Sequence, residues 1–301
     1  MLKKSLSIIL VLMCTFSVFL FSGCNKKPSM EIKDFENYTM YKNMSYGDDV
    51  RNVLDVCYPK NKTGRVDVLF YIHGGGWVTG DKEGYATALK NGANEGYITA
   101  AMNYRYLSKD VDCQDILDDI TMALSAVKKQ ANALNLQPEK AMLSGGSAGG
   151  HLSLQYAYQC YNIAPIKPAF VLSYCGPTKL TDPKYFDRES LSKSTYKWFS
   201  WLTNKNITSS TIEEYTPLLN QVSPITYVNE NTVPTIICQG TIDEIVPYQN
   251  AVDLDAKLTE VGVDHVFITY QNSGHGLEND PEASALADQM FQTYKTTYLT
   301  K

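Results

Sequence analysis

From residue 66 to residue 298 the chain alternates short apolar runs with stretches of helical period, and this pattern constrains the fold more tightly than any other feature. VDVLFYIHGGGW (66–77) reads as a strand running into a glycine loop, YITAAMNYRY (97–106) as a second strand and KAMLSG (140–145) as a third. AFVLSYCG (169–176) and TIICQG (235–240), bounded by Pro168 and Pro234, are further strands, and HVFITYQ (265–271) is the last. Within 112–136, Ile116, Ile120, Ala123, Leu124, Val127, Ala131 and Leu134 recur at steps of three and four, which gives one apolar helical face. AGGHLSLQYAYQ (148–159) and residues 281–298 read as two more helices. Strands separated by helices build βαβ units, so the expected fold class is α/β, a mostly parallel sheet covered on both faces. At 44% hydrophobic and 20% charged over 301 residues, the chain has enough apolar surface for a full core.

The N-terminus follows different rules. MLKK is basic, and SLSIILVLMCTFSVFLFSG then runs to residue 23 without a charge. A run of that length could anchor the chain in a bilayer or act as a secretory signal. It ends, however, in LFSGC, with small residues at 22 and 23 before Cys24, and this resembles the bacterial lipoprotein signal. The resemblance implies that residues 1–23 are removed and that Cys24 is lipidated. It implies an exported protein held by its lipid anchor at the bacterial cell membrane, on the extracellular or periplasmic face. Residues 24–45 are then expected to be a polar tether, leading into a folded domain over 46–301. The formal net charge of −5, more acidic still without Lys3 and Lys4, argues against a nucleic-acid partner. Cys57, Cys113, Cys160, Cys175 and Cys238 are scattered without a CxxC pair, so no zinc-site spacing is present and neither metal nor cofactor is expected.

Chemistry enters at LSGGSAGGH (143–151). Five small residues in a row make a poor helix or strand interior, yet a strand precedes them and a helix follows. Gly145 and Gly149 leave room for a sharp strand-to-helix turn that would expose the Ser147 hydroxyl. A second glycine loop, HGGGW (73–77), also follows a strand and can turn its N–H groups inward as oxyanion donors, joined by the N–H of Ala148. It lacks the spacing of a phosphate loop.

A serine nucleophile needs a base, and the chain has four histidines. His73 belongs to the glycine loop and is expected to brace it. His151 lies one turn beyond Ser147, and His265 begins the last strand; both are expected to be structural. His275, in NSGHGLEND after the last strand, can reach the carboxyl edge of the sheet. An orienting carboxylate should follow the preceding strand, where TIICQGTIDEIVP offers Asp243 and Glu244. Asp243 comes first after the turn and is the favoured partner.

Ser147, Asp243 and His275 stand in the chain order of α/β-hydrolases. Across residues 45–300, HGGGWVTGDK, NYRY, GGSAGGHLS, SPITYV, GTIDEIVP and SGHG fall in sequence. In these motifs the chain resembles the α/β-hydrolase superfamily, in the carboxylesterase branch related to hormone-sensitive lipase and to bacterial acetyl and feruloyl esterases. The resemblance implies Gly75 and Gly76 as the loop's oxyanion donors beside Ala148. GGSAGG departs from the GDSAGG common near hormone-sensitive lipase, which disfavours long-chain lipid substrates.

Residues 178–216 interrupt the strand–helix rhythm and read as a lid or cap, with six aromatics within 185–201. Trp198 and Trp201 could offer a platform for a sugar ring or phenolic acid, or these aromatics could form the lid's own core. Trp77 is expected to face the acyl or alcohol pocket. The expected activity is hydrolysis of short-chain or aromatic esters, acetyl or feruloyl, on extracellular carbohydrate. An amidase of the same fold (arylformamidase or peptidase-like) is the alternative, and a non-catalytic surface binding protein is a third reading.

Overall fold

Strand β4 (Val68–Ile72) shows how the sheet is built, because every one of its residues is buried. Val68, Phe70 and Ile72 enter one apolar cluster, while Leu69 and Tyr71 enter another. Side chains alternate across a strand, so a strand covered on both faces must be apolar throughout.

The computed structural model describes residues 26–187 and 189–301. The expected signal segment and Cys24 lie outside the described residues. In chain order the strands are β1 (Glu31–Asp34), β2 (Tyr38–Ser45), β3 (Val53–Pro59), β4, β5 (Ile98–Met102), β6 (Lys140–Gly146), β7 (Lys167–Tyr174), β8 (Thr235–Gly240) and β9 (His265–Tyr270). The helices are α1 (Ala86–Asn94), α2 (Cys113–Ala133), α3 (Ala148–Gln159), α4 (Glu189–Leu202), α5 (Ile212–Gln221), α6 (Tyr248–Val261) and α7 (Pro281–Tyr298). They form one sheet of order β1-β2-β3-β5-β4-β6-β7-β8-β9. Pairings from β5 through β9 are parallel, and those joining β1, β2, β3 and β5 are antiparallel. The fold class is therefore α/β, as the strand–helix alternation predicts, and the architecture is that of the α/β-hydrolase fold.

Apolar residues of α2, α3 and α6 cover one face and those of α1 and α7 the other. Helix α2 starts where Asp112 and Asp115 form a reciprocal capping box, and α6 stops at Gly262, whose φ of 72° admits glycine readily. The five cysteines from Cys57 onward are buried free thiols.

One expectation is corrected. Residues 31–45 are not a tether but β1 and β2, which extend the sheet beyond β3. The inward residues Tyr38, Met40 and Met44 are buried, and this stretch belongs to the folded unit.

Candidate active site

Because β4, β6, β7, β8 and β9 run parallel, their C-terminal ends share one edge of the sheet. The segments leaving that edge carry the glycine loop, Ser147, Cys175, Asp243 and His275.

Ser147 joins β6 to α3 with φ 55° and ψ −123°, a conformation that costs a non-glycine residue about 1–3 kcal/mol. Its N–H donates to the Tyr174 carbonyl at 2.7 Å, and its carbonyl accepts from His151 N at 3.0 Å, so the turn is held from both sides. The flanking glycines are sterically required. A Cβ at Gly145 would lie 2.4 Å from the Ile72 carbonyl oxygen, and one at Gly149 would lie 2.1 Å from it. The nucleophile helix therefore presses directly on the end of β4.

Asp243 and His275 meet as the sequence predicts: Nδ1 of His275 lies 2.8 Å from Asp243 Oδ2. The carboxylate is fully buried, while the imidazole is 16% exposed. Asp243 Oδ2 also accepts from Gln239 Nε2 at 2.8 Å, and Oδ1 accepts from the N–H groups of Ile245 and Val246 at 2.8 and 2.9 Å. Four donors thus hold one carboxylate in place, which a surface aspartate would not need. Glu244 is exposed beside it.

The Cys175 sulfur, the Asp243 carboxylate and the His275 ring present atoms all within 4.8 Å of one another. Burial, and secondarily the Asp243 charge, push the Cys175 thiol well above its ordinary pKa, so it remains S–H. This trio is the one cluster of soft and hard donors among the described residues that could take a metal ion. Two of its members are already engaged with each other. Neither Gln239 nor Cys175 stood out in the sequence. The available signal was positional, since both lie at the carboxyl ends of buried strands on the site's edge.

The glycine loop lies against the serine: a Cβ at Gly74 would be 3.5 Å from Ser147 Cβ. Gly75 and Gly76 have φ of 105° and 57°, values that let the chain coil back at that point. The Gly75 carbonyl accepts from Val78 N and Thr79 N at 3.1 and 3.0 Å. In the trans peptide that follows, the Gly76 N–H must point the opposite way. Among the described residues, the N–H groups of Gly75, Gly76 and Ala148 have no protein acceptor.

Trp77 does not sit where the sequence suggests. It is 4% exposed, and its indole N–H donates to His151 Nδ1 at 3.1 Å. The other nitrogen of His151 donates to the Val222 carbonyl at 2.8 Å, just past α5. Trp77 is thus an anchor beneath the loop and not an open pocket wall. Burial depresses the His151 pKa to about 4, consistent with the neutral ring these two bonds require.

The insertion 178–216 divides its aromatics between two tasks. Phe199 is buried, packing edge-on against Tyr185 and Phe186 at 5.7 and 5.8 Å, and joins the domain's main apolar cluster instead of forming a separate core for the lid. Trp198 stays half-buried over the glycine loop: its ring would be 3.5 Å from a Cβ on Gly76 and lies edge-on to Trp77 at 6.3 Å. Trp201 packs half-buried against the core with Lys197 Nζ 4.5 Å over its ring. The structure brings Trp198 to the loop and gives Trp201 a packing contact.

Three comparisons bear on this arrangement. The chain is 28% identical over 243 residues to Probable carboxylic ester hydrolase LipM of Mycobacterium tuberculosis, covering 78% of this chain and 55% of that protein. It is 24% identical over 278 residues to Esterase LipC of the same organism, covering 86% of this chain and 66% of LipC. It therefore spans somewhat over half to about two thirds of the length of these relatives. Its fold matches a truncated carbohydrate esterase from gut microbiota with a TM-score of 0.68 at 18% identity, over 88% of this chain and all of the other. Residues 54–258 match the model of the BD-FAE family, a span that includes the glycine loop, Ser147 and Asp243, and the chain belongs to that family.

Proposed function

We propose that the protein is a serine carboxylic ester hydrolase acting on short-chain or aromatic esters, acetyl or feruloyl groups on extracellular carbohydrate. The observation that carries this reading is the Asp243–His275 pair at 2.8 Å, its carboxylate buried, on the same sheet edge as a serine held on a strained turn beside free N–H groups. Asp243 keeps a proton on His275 Nδ1, leaving Nε2 to take the proton of Ser147 Oγ as that oxygen attacks the ester carbonyl. The N–H groups of Gly75, Gly76 and Ala148 receive the oxyanion. The alcohol leaves with the proton from His275, and water, deprotonated by the same ring, releases the acid from Ser147.

Ester hydrolysis is supported by the LipM and LipC names, and carbohydrate as the alcohol only by the name of a protein that shares the fold. Trp198 beside the glycine loop could meet a sugar ring or phenolic acid. Lipidation at Cys24, proposed from LFSGC, would place the enzyme at the cell surface, where such esters occur.

The test is hydrolysis of acetyl, butyryl, octanoyl and feruloyl esters by residues 25–301, each beside Ser147→Ala, with fluorophosphonate labelling of both proteins. Acetyl or feruloyl turnover at least about a thousandfold above the variant supports the reading. Labelling of the wild type alone, without turnover of any ester, would move it to an amidase. A folded wild-type protein that neither reacts nor labels would overturn it.

A further inference from the structure

The N–H groups of the glycine loop can serve an oxyanion only if each peptide faces the correct way, and one flipped peptide would replace a donor with a carbonyl. The Gly74–Gly75 peptide is controlled from outside the loop. Its carbonyl oxygen lies 2.8 Å from His73 Nδ1. Because the peptide is trans, holding that carbonyl toward the His73 ring turns the Gly75 N–H away from the ring. The hold requires a proton on Nδ1 of a neutral imidazole, and nothing in a histidine fixes that tautomer unaided.

We infer that Arg51 is the positioning residue that fixes this tautomer and thereby aims the Gly75 N–H into the oxyanion site. The inference rests on the proposed hydrolase reading. Arg51 Nη2 lies 3.2 Å from His73 Nε2. A guanidinium nitrogen can only donate, so Nε2 must accept and the ring proton must reside on Nδ1. The guanidinium is itself locked. Nε donates to the Tyr104 carbonyl at 2.8 Å, Nη2 donates also to the Gly80 carbonyl at 3.1 Å, and the group lies 3.7 Å above the Tyr106 ring. His73 is 3% exposed and stacks on Tyr104 at 4.2 Å, while the Tyr104 hydroxyl donates to the His73 carbonyl at 3.0 Å. Gly80 closes the cage, since a Cβ there would lie 2.4 Å from the Gly74 oxygen and 2.5 Å from His73 Nδ1. A chain of single-valued hydrogen bonds thus runs from a cation on the β2–β3 connection to one peptide plane beside Ser147. Burial, chiefly, and the Arg51 charge hold the His73 pKa down to about 4, so the ring stays neutral at working pH.

The experiment compares wild type, Arg51→Met, Arg51→Lys, His73→Phe and the Arg51→Met/His73→Phe double variant. An acetyl ester is the substrate, and the nitrogen-15 resonances of His73 provide an independent readout. Arg51→Met should lower kcat by about a hundred- to a thousandfold, the effect of losing one oxyanion donor, with KM within about twofold. The double variant should be no slower than His73→Phe, because Arg51 acts through the ring. The Nε2–H tautomer should become populated in Arg51→Met and less so in Arg51→Lys, which keeps one donor. If Arg51→Met does not fold, the tautomer shift and an intermediate kcat in Arg51→Lys test the same claim. An unchanged tautomer, a loss confined to KM, or additive losses in the double variant would each overturn the proposal. The nitrogen resonances require no turnover, so a wild type inactive on every ester would refute the ester-hydrolase reading while leaving the tautomer claim separately testable.

Discussion

At the residue scale, Asp243 carries the most specific expectation. Its Oδ2 holds the His275 Nδ1 proton, and its other three donors fix the carboxylate's orientation regardless of charge on the ring. Asp243→Asn would present an amide that can donate toward Nδ1 and favour the opposite tautomer, leaving Nε2 protonated and unable to accept from Ser147. A loss of kcat of about ten-thousandfold, with the fold intact, is expected from steady-state kinetics and circular dichroism. The cysteines give a second test at this scale. Burial pushes Cys57 up to about 12 and Cys160 to about 11, and raises Cys113, Cys175 and Cys238 as well. Thiolate is the reactive form, so none of the five should be alkylated by iodoacetamide in the native protein at pH 8, and all should be in urea, as read by mass spectrometry. Alkylation of Cys175 in the native state would show that the triad's edge opens more than its burial implies.

At the scale of elements, the packing of α3 on β4 sets the strictest geometric demand. A Cβ on Gly149 would meet the Ile72 carbonyl at 2.1 Å, and backbone cannot turn aside as a side-chain tip can. Gly149→Ala should cost at least about 3 kcal/mol in urea denaturation, whereas Gly84→Ala, where a Cβ meets nothing within 4 Å, should be close to neutral. The same glycines explain what was legible. The strand–glycine–helix punctuation around Ser147 is local, so α3 falls at 148–159 as the sequence predicts, and the parallel core strands show as unbroken apolar runs. Strand β2 was opaque for a physical reason. It lies near the sheet's edge, and its register shifts between Tyr41 and Met44, with Asn43 at φ 55°, so its apolar residues lose the period of two. Trp77 was misplaced because a tryptophan after a glycine loop gives no sign that its indole N–H is claimed by a histidine 74 residues away. Arg51 was invisible for a similar reason: an arginine in a polar connection reads as solvated until the fold brings it to His73.

At the scale of the whole molecule, His73 and His151 make stability depend on pH. Each is buried and neutral, with its pKa depressed chiefly by burial from 6.5 to about 4. The unfolded chain takes up protons near pH 6.5 that the native state refuses until about pH 4. Between those values the unfolded state therefore binds more protons, and stability falls as pH falls. Each histidine contributes a slope of about 1.4 kcal/mol per pH unit and a total loss of about 3 kcal/mol once both limits are passed. Urea midpoints measured from pH 7 to pH 4.5 should decline with a slope that drops by about half in His151→Gln; parallel lines for the two proteins would assign the acid sensitivity elsewhere. Near pH 4 the native rings take up protons themselves, and these fall on the functional seams. Protonated His73 would turn an N–H toward Arg51, and protonated His151 would turn one toward the indole N–H of Trp77. The glycine loop and its contact with the segment after α5 should therefore loosen before the sheet does. As pH approaches 4 with the protein still folded, the nitrogen-15 resonances of His73 and His151 should report protonation while far-ultraviolet circular dichroism is unchanged.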